Sequence, residues 1–283
     1  MSGFRATVTP VRLIIILLAA AALTLLGWRA YPRLTGIYPL AEADQSEALV
    51  SRRHAATEKT IDVLFIGNSF TFTHGMPAML VNLASGDPAN PVRLRVWTVT
   101  RGGATLADHR AAGQAAQVLA SRSFDYVVLN QQSSWAYVPE SVSDTNRDVA
   151  YWSRLIRSQG AQPVLLETWA DGAASSVYAS GGWLHSHTAT DAQEKISEET
   201  ADLARLRSLS VVRVGQAFQR AQRDLPTLGL FQADQHHPSV AGAYLSAASF
   251  YRFLTGRSAG QSTYRPRDLT DIDARQLAAI ASE

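Results

Sequence analysis

Five short strand-like segments, apolar or alternating and each followed by a stretch with helical character, constrain this chain more than any other feature. They are "IDVLFI" (61–66), "VRLRVWTVT" (92–100), "FDYVVL" (124–129), "QPVLLETWA" (162–170) and "SVVRVG" (210–215). The helical stretches are "MPAMLVNLAS" (76–85), with Pro77 in its first turn, "TLADHRAAGQAAQVLAS" (105–121), 143–158, 191–208, and "SVAGAYLSAASFYRFLTG" (239–256), with Gly256 as its stop. Strands that alternate with helices pair in parallel and bury both faces of their sheet. The chain is therefore predicted to be an α/β protein, a three-layer α/β/α sandwich around a five-stranded parallel sheet.

The 283 residues, 46% of them hydrophobic, suffice for one large domain and an appendage. The domain is expected over 60–283, behind a linker at 35–59 and an N-terminal signal-anchor or signal peptide at 1–34. In that first part, "LIIILLAAAALTLLGW" (13–28) is apolar without a break and has arginines on both sides. As a helix it spans roughly 24 Å, a little short of a hydrocarbon core of about 30 Å. The expectation is a hydrophobic helix that anchors the chain in a membrane and leaves the main domain outside the cytoplasm, periplasmic or on the outer face. Cleavage at the small residues Ala20–Ala21–Ala22 is the alternative.

Composition removes several classes. Without cysteine there is no disulfide framework, thiolate metal site or cysteine nucleophile. The pI near 9.0 comes from arginines scattered along the chain, since Lys59 and Lys195 are the only lysines. Scattered arginines without interleaved aromatics argue against nucleic acid as a partner. Residues 171–190, "DGAASSVYASGGWLHSHTAT", have no period and read as a binding lid or a disordered loop.

The first strand runs into "GNSFT", which sets the Ser69 hydroxyl at the carboxyl end of a strand, where open α/β sheets hold ligands. An activated serine needs a base, a group to orient the base, and donors for the oxyanion. In "ADQHHPSVAGAYLSA" (233–247), Asp234 stands three residues before His237. A tight turn lets that carboxylate reach Nδ1 and leaves Nε2 for the serine. The plainer alternative is that Asp234 and Ser239 only cap the closing helix. Gly102–Gly103 follow the second strand and open a helix, so a backbone N–H there can donate to an oxyanion, although an ordinary turn also accounts for them. Asn130, Gln131 and Gln132 follow the third strand, as amide donors or as a polar loop.

Together these blocks resemble the SGNH (GDSL-like) hydrolase superfamily, whose four blocks contribute Ser, Gly, Asn and His in this order. The resemblance covers roughly 60–256 and implies a flavodoxin-like arrangement of the sheet. "IGNSFT" resembles the first block and implies that Ser69 is the nucleophile, with its backbone N–H in the oxyanion hole. "RGGAT" resembles the second, and its Gly-x-Thr pattern points to Gly103, with Gly102 adjacent. "DQHHPS" resembles the last block, Asp-x-x-His-Pro, which selects His237 over His236 and makes Asp234 the triad acid. Two blocks depart from the pattern. Asn68 replaces the aspartate of the GDSL form, and Asn130–Gln131–Gln132–Ser133 stands where Gly-x-Asn-Asp is usual. Residue type and position favour Asn130 as the oxyanion donor, whereas counting from the strand end favours Gln132. The blocks look more like a divergent subgroup with an "IGNSFT" start than like lipase-type members.

The resemblance implies a serine esterase that works through an acyl-enzyme and needs no cofactor or metal. A small acyl group on a carbohydrate, such as O-acetyl, is the substrate class it suggests. Trp169, Tyr178 and Trp183 would suit sugar stacking, or belong to the core. A lipid esterase or lysophospholipase and an O-acyltransferase would use the same triad. From other classes, the alternatives are a non-catalytic carbohydrate-binding domain and a metal site built from His185, His187, His236 and His237.

Overall fold

The computed structural model describes residues 43–44, 47–55 and 59–283. The apolar segment 13–28 lies outside the described residues, and no helix among those described is long and apolar enough to cross a membrane.

The strands are β1 (Ala43–Asp44), β2 (Leu49–Val50), β3 (Lys59–Gly67), β4 (Val92–Thr100), β5 (Tyr126–Leu129), β6 (Gln162–Leu166) and β7 (Ser210–Val212). The helices are α1 (Ser69–Phe72), α2 (Met76–Gly86), α3 (Leu106–Ala112), α4 (Gln114–Ser121), α5 (Pro139–Ser158), α6 (Ala189–Arg207), α7 (Val214–Asp224), α8 (Val240–Thr255) and α9 (Asp271–Ile280). The five expected strands pair in parallel in the order β4-β3-β5-β6-β7. The sheet as a whole is mixed and seven-stranded rather than five-stranded and parallel. Two-residue strands from the linker add antiparallel to β4, pairing Ala43 with Thr100 and Leu49 with Val96. They occupy hydrogen-bonding groups that an edge strand would otherwise expose.

Strand β3 is apolar at consecutive positions because both faces of the sheet are covered. Ile61, Val63 and Phe65 join a core with residues of α2, α7, α8 and α9. Leu64 and Ile66 join a second core with residues of α3, α4, α5 and α6. The result is three layers, as expected.

Several boundaries differ from the sequence reading. The stretch 105–121 divides at Gly113, where the backbone turns left-handed (φ 74°). The segment 210–215 stops being a strand at Val212, and α7 begins two residues later. There the Glu167 carboxylate accepts the Gln216 N–H at 3.0 Å, fixing the start of that helix. Helix α9 was not foreseen, although Thr270 caps it by accepting the Asp273 N–H. The loop 171–187 follows a defined path through a 3₁₀ turn at Ser176–Tyr178.

Strand order reverses between β3 and β5, with β4 built outward from β3 on one side and β6 and β7 from β5 on the other. In such sheets the crevice at the carboxyl ends of the two central strands is the ligand site. Ser69 follows β3, and Asn130 follows β5.

Candidate active site

Strand β3 ends at Gly67, and the chain turns at once into α1. Gly67 is required by close approach: a Cβ there would lie 2.7 Å from the Asn130 Cβ and from the Thr71 Oγ1. Asn68 caps α1, its side chain accepting the Phe70 N–H at 3.1 Å. The same side chain donates to the Ala104 carbonyl at 3.2 Å, which ties this turn to the loop after β4. Asparagine serves here where a carboxylate could not, because the amide both accepts and donates. His109 on α3 adds a second tie, donating through Nε2 to the Gly67 carbonyl at 2.7 Å. Burial holds its pKa below the usual histidine value, in keeping with a neutral ring in that role.

Ser69 opens α1, so its N–H has no intrahelical acceptor, and none of the described residues accepts from it. Its hydroxyl is 3.0 Å from His237 Nε2. His237 Nδ1 lies 2.7 Å from Asp234 Oδ2. The other carboxylate oxygen of Asp234 accepts the backbone N–H groups of His236 and His237, each at 3.0 Å. Burial pushes the Asp234 pKa up, but the His237 ring and these N–H donors outweigh it, and the net shift is downward. Asp234 is thus a carboxylate at neutral pH. Of the two histidines only His237 reaches the serine, and the three-residue spacing works because Gln235 between them takes a left-handed conformation (φ 56°). Ser239 is the residue that caps α8, accepting the Gly242 N–H at 3.2 Å. Asp234 has no part in that cap.

The other expected residues fall around the same crevice with different degrees of commitment. Gly103 sits in the turn after β4 with φ 66°, a conformation that favours glycine, and nothing crowds the place of its missing Cβ. Asn130 is fully buried. Its carbonyl oxygen accepts from the Thr71 hydroxyl at 2.9 Å and the Asn68 N–H at 3.4 Å, so it braces the serine turn. Its amide nitrogen donates to the Gln131 carbonyl at 2.9 Å and keeps one further hydrogen. Gln132 accepts from the Ser134 hydroxyl through its oxygen, and its amide nitrogen has no partner among the described residues.

A stack of rings supports the histidine turn from below. Trp169 lies between Phe70 and Phe218, at 4.3 and 4.4 Å between ring centroids, and donates through its indole N–H to the His236 carbonyl at 3.1 Å. Trp169 is 1% exposed, so it belongs to the core and offers no surface to a sugar. Trp183, 54% exposed, does. His185 and His187 are exposed loop residues, and among the described residues no group of three His, Asp or Glu side chains could hold a metal.

One pair escaped the sequence reading. His236 Nδ1 is 2.7 Å from Asp171 Oδ1, a second His–Asp contact beside the first, and the rings of His236 and His237 meet edge to face at 5.0 Å. Its partners are 65 residues apart, and no local spacing announces them.

This arrangement can be set against known proteins. No family model and no curated protein matches the chain. Among solved structures, a protein from Slackia heliotrinireducens assigned to the SGNH hydrolases is 29% identical. That match has a TM-score of 0.56 and covers 70% of this chain and all of the other. The chain belongs to the SGNH hydrolase superfamily. A DUF4886 family protein from Bacteroides uniformis shares the SGNH-type fold at 19% identity and a TM-score of 0.66, over 79% of this chain and 93% of its own. An acetylxylan esterase from Geobacillus stearothermophilus shares it at 18% identity and a TM-score of 0.51, over 68% and 93%. For an SGNH hydrolase the departures at Asn68 and in the third block are accommodated locally. Asn68 fastens two blocks together, and the third block braces the serine turn through Asn130.

Proposed function

We propose that this protein is a serine esterase that removes O-acetyl or another small acyl group from a carbohydrate. The observation that carries the reading is the hydrogen-bonded line Ser69–His237–Asp234 at the switch point of the sheet. In it, Ser69 Oγ attacks the ester carbonyl carbon while His237 Nε2 takes the hydroxyl proton. Asp234 fixes the Nδ1–H tautomer and stabilises the imidazolium that forms. The oxyanion takes hydrogen bonds from the Ser69 and Gly103 N–H groups and the remaining amide hydrogen of Asn130. Collapse of the tetrahedral species breaks the bond to the alcohol, which leaves with the His237 proton. Water, deprotonated by His237, then attacks the acyl-enzyme, releases the acid and restores Ser69.

The fold neighbour that acts on acetylxylan supports the choice of acyl group, and a serine-to-alanine form of that esterase is described as a catalytic mutant. The apolar segment 13–28 supports a location outside the cytoplasm, where extracellular or cell-wall carbohydrate is met. The test is labelling of the purified chain by a fluorophosphonate, together with turnover of p-nitrophenyl acetate. The native chain is expected to do both, and Ser69→Ala and His237→Ala neither. A folded native chain that is neither labelled nor active would remove the reading.

A further inference from the structure

The His236–Asp171 pair faces a cavity of about 370 Å³, bounded also by Gln132, Tyr178 and Trp183. A second cavity, about 690 Å³, adjoins it, with Tyr137, Trp183 and Leu184 lining both. Side by side across Trp183 they outline a trough, and only the first of them is lined by the histidine turn. Its polar groups are unequally occupied. The Tyr178 hydroxyl donates to the Asp171 carbonyl at 3.2 Å, and the Tyr137 hydroxyl donates to the Ala192 carbonyl at 3.0 Å. His236 is different: Asp171 holds Nδ1, and Nε2 has no partner among the described residues.

We propose that His236, oriented by Asp171, hydrogen-bonds the alcohol half of the ester, and that the trough past Trp183 takes a neutral, hydroxyl-rich chain. This rests on the esterase reading above and names the substrate class for the same site. Asp171 selects one tautomer, so that Nε2 becomes the group offered to the cavity. Trp183 presents an exposed ring, met edge to face by Tyr137 at 5.5 Å, as a wall on which a flat sugar face can stack. Farther along, the carboxylates of Asp191, Glu194 and Glu198 line the second cavity against the single ammonium of Lys195. That excess of carboxylates disfavours an acyl tail laid beside it and repels an anionic polymer. A neutral oligosaccharide meets neither objection. Next to the pair, the Gly172 N–H donates to the Gln235 carbonyl at 2.7 Å, so two adjacent contacts fasten the loop to the turn that carries the base.

The experiment compares kcat/KM on acetylated xylo-oligosaccharides with kcat/KM on p-nitrophenyl acetate, for the native chain, His236→Gln and Trp183→Ala. The ratio of the first to the second is expected to fall about tenfold in each variant, the effect of losing one hydrogen bond or one stacked ring. Equal losses on both substrates from His236→Gln would show that His236 acts only through its neighbour His237. Trp183 is exposed and its ring meets Tyr137 rather than a triad residue, so an unchanged ratio in Trp183→Ala would take the chain out of the trough. Failure of the esterase reading is a separate result, with no turnover of either substrate and no labelling of Ser69. In that event, fluorescence quenching by unacetylated xylohexaose decides the matter: saturable in the native chain and lost in Trp183→Ala supports the trough, and no saturable quenching overturns it.

Discussion

Asp234→Asn removes a charge with almost no change of shape, which makes it the sharpest probe of the proposed triad. In the native turn, one carboxylate oxygen accepts two backbone N–H groups at 3.0 Å and the other faces His237 Nδ1 at 2.7 Å. An asparagine keeps the turn by leaving its carbonyl oxygen on the two N–H groups. Its NH₂ then faces Nδ1 and can only donate, so the imidazole must carry its proton on Nε2. That proton points at Ser69 Oγ, 3.0 Å away, and the base is blocked. Loss of the correct tautomer costs about 10⁴ in kcat where such an acid is fully buried. Asp234 is 36% exposed, so water reaches the pair and a loss nearer 10³ is expected, about 4 kcal/mol in the barrier. The assay is steady-state hydrolysis of p-nitrophenyl acetate beside the rate of fluorophosphonate labelling, with thermal denaturation to establish that the turn survives. A folded Asp234→Asn within tenfold of the native rate in both would refute the tautomer argument and the assignment of Asp234.

The two candidates for the third-block donor separate by the same assay. Asn130→Ala is expected to lower kcat by about 10²–10³ and also to lower Tm, because it removes the acceptor that braces Thr71 and Asn68. Gln132→Ala should leave Tm unchanged, and a comparable fall in kcat from it alone would transfer the donor role from Asn130. Away from the site, Asp87 is 1% exposed and accepts from Arg257 at 2.6 and 3.0 Å, Tyr251 at 2.7 Å and the Ala89 N–H at 3.1 Å. Burial raises its pKa and these donors lower it further than burial lifts it, so the net shift is downward. Its contribution is therefore complete above the ordinary aspartate value of about 3.9 and disappears as pH falls through the depressed folded value. Asp87→Asn strands Arg257 and is expected to cost about 3 kcal/mol, or about 6–12 °C in Tm, at neutral pH. The difference from the native chain should vanish in acid, and an equal difference at every pH would contradict the linkage.

What lies within one turn of chain was legible in the sequence. The apolar runs in β3, β5 and β6 announce themselves because a strand buried on both faces has little room for polar residues, and β4 announces itself by alternation. Asp234 and His237 announce themselves because three residues of tight turn are enough to bring a carboxylate to an imidazole. The cap of α9, Thr270 with Asp273 three residues on, is equally local. Other features had no local signature. "SVVRVG" has the composition of a strand throughout. It becomes helix at Val214 because Glu167, from the end of β6, caps it and because Gly215 packs on the Thr168 carbonyl, where a Cβ would lie 2.1 Å away. Trp169 and Trp183 are the same residue type and equal candidates in the sequence for a sugar platform, and only packing buries one between two phenylalanines and leaves the other exposed beside a cavity. The Asp171 that turns His236 toward that cavity arrives from the far side of the fourth parallel strand. Local spacing fixes the geometry of a turn, whereas a contact across 65 residues exists only once the sheet has set the strand ends side by side.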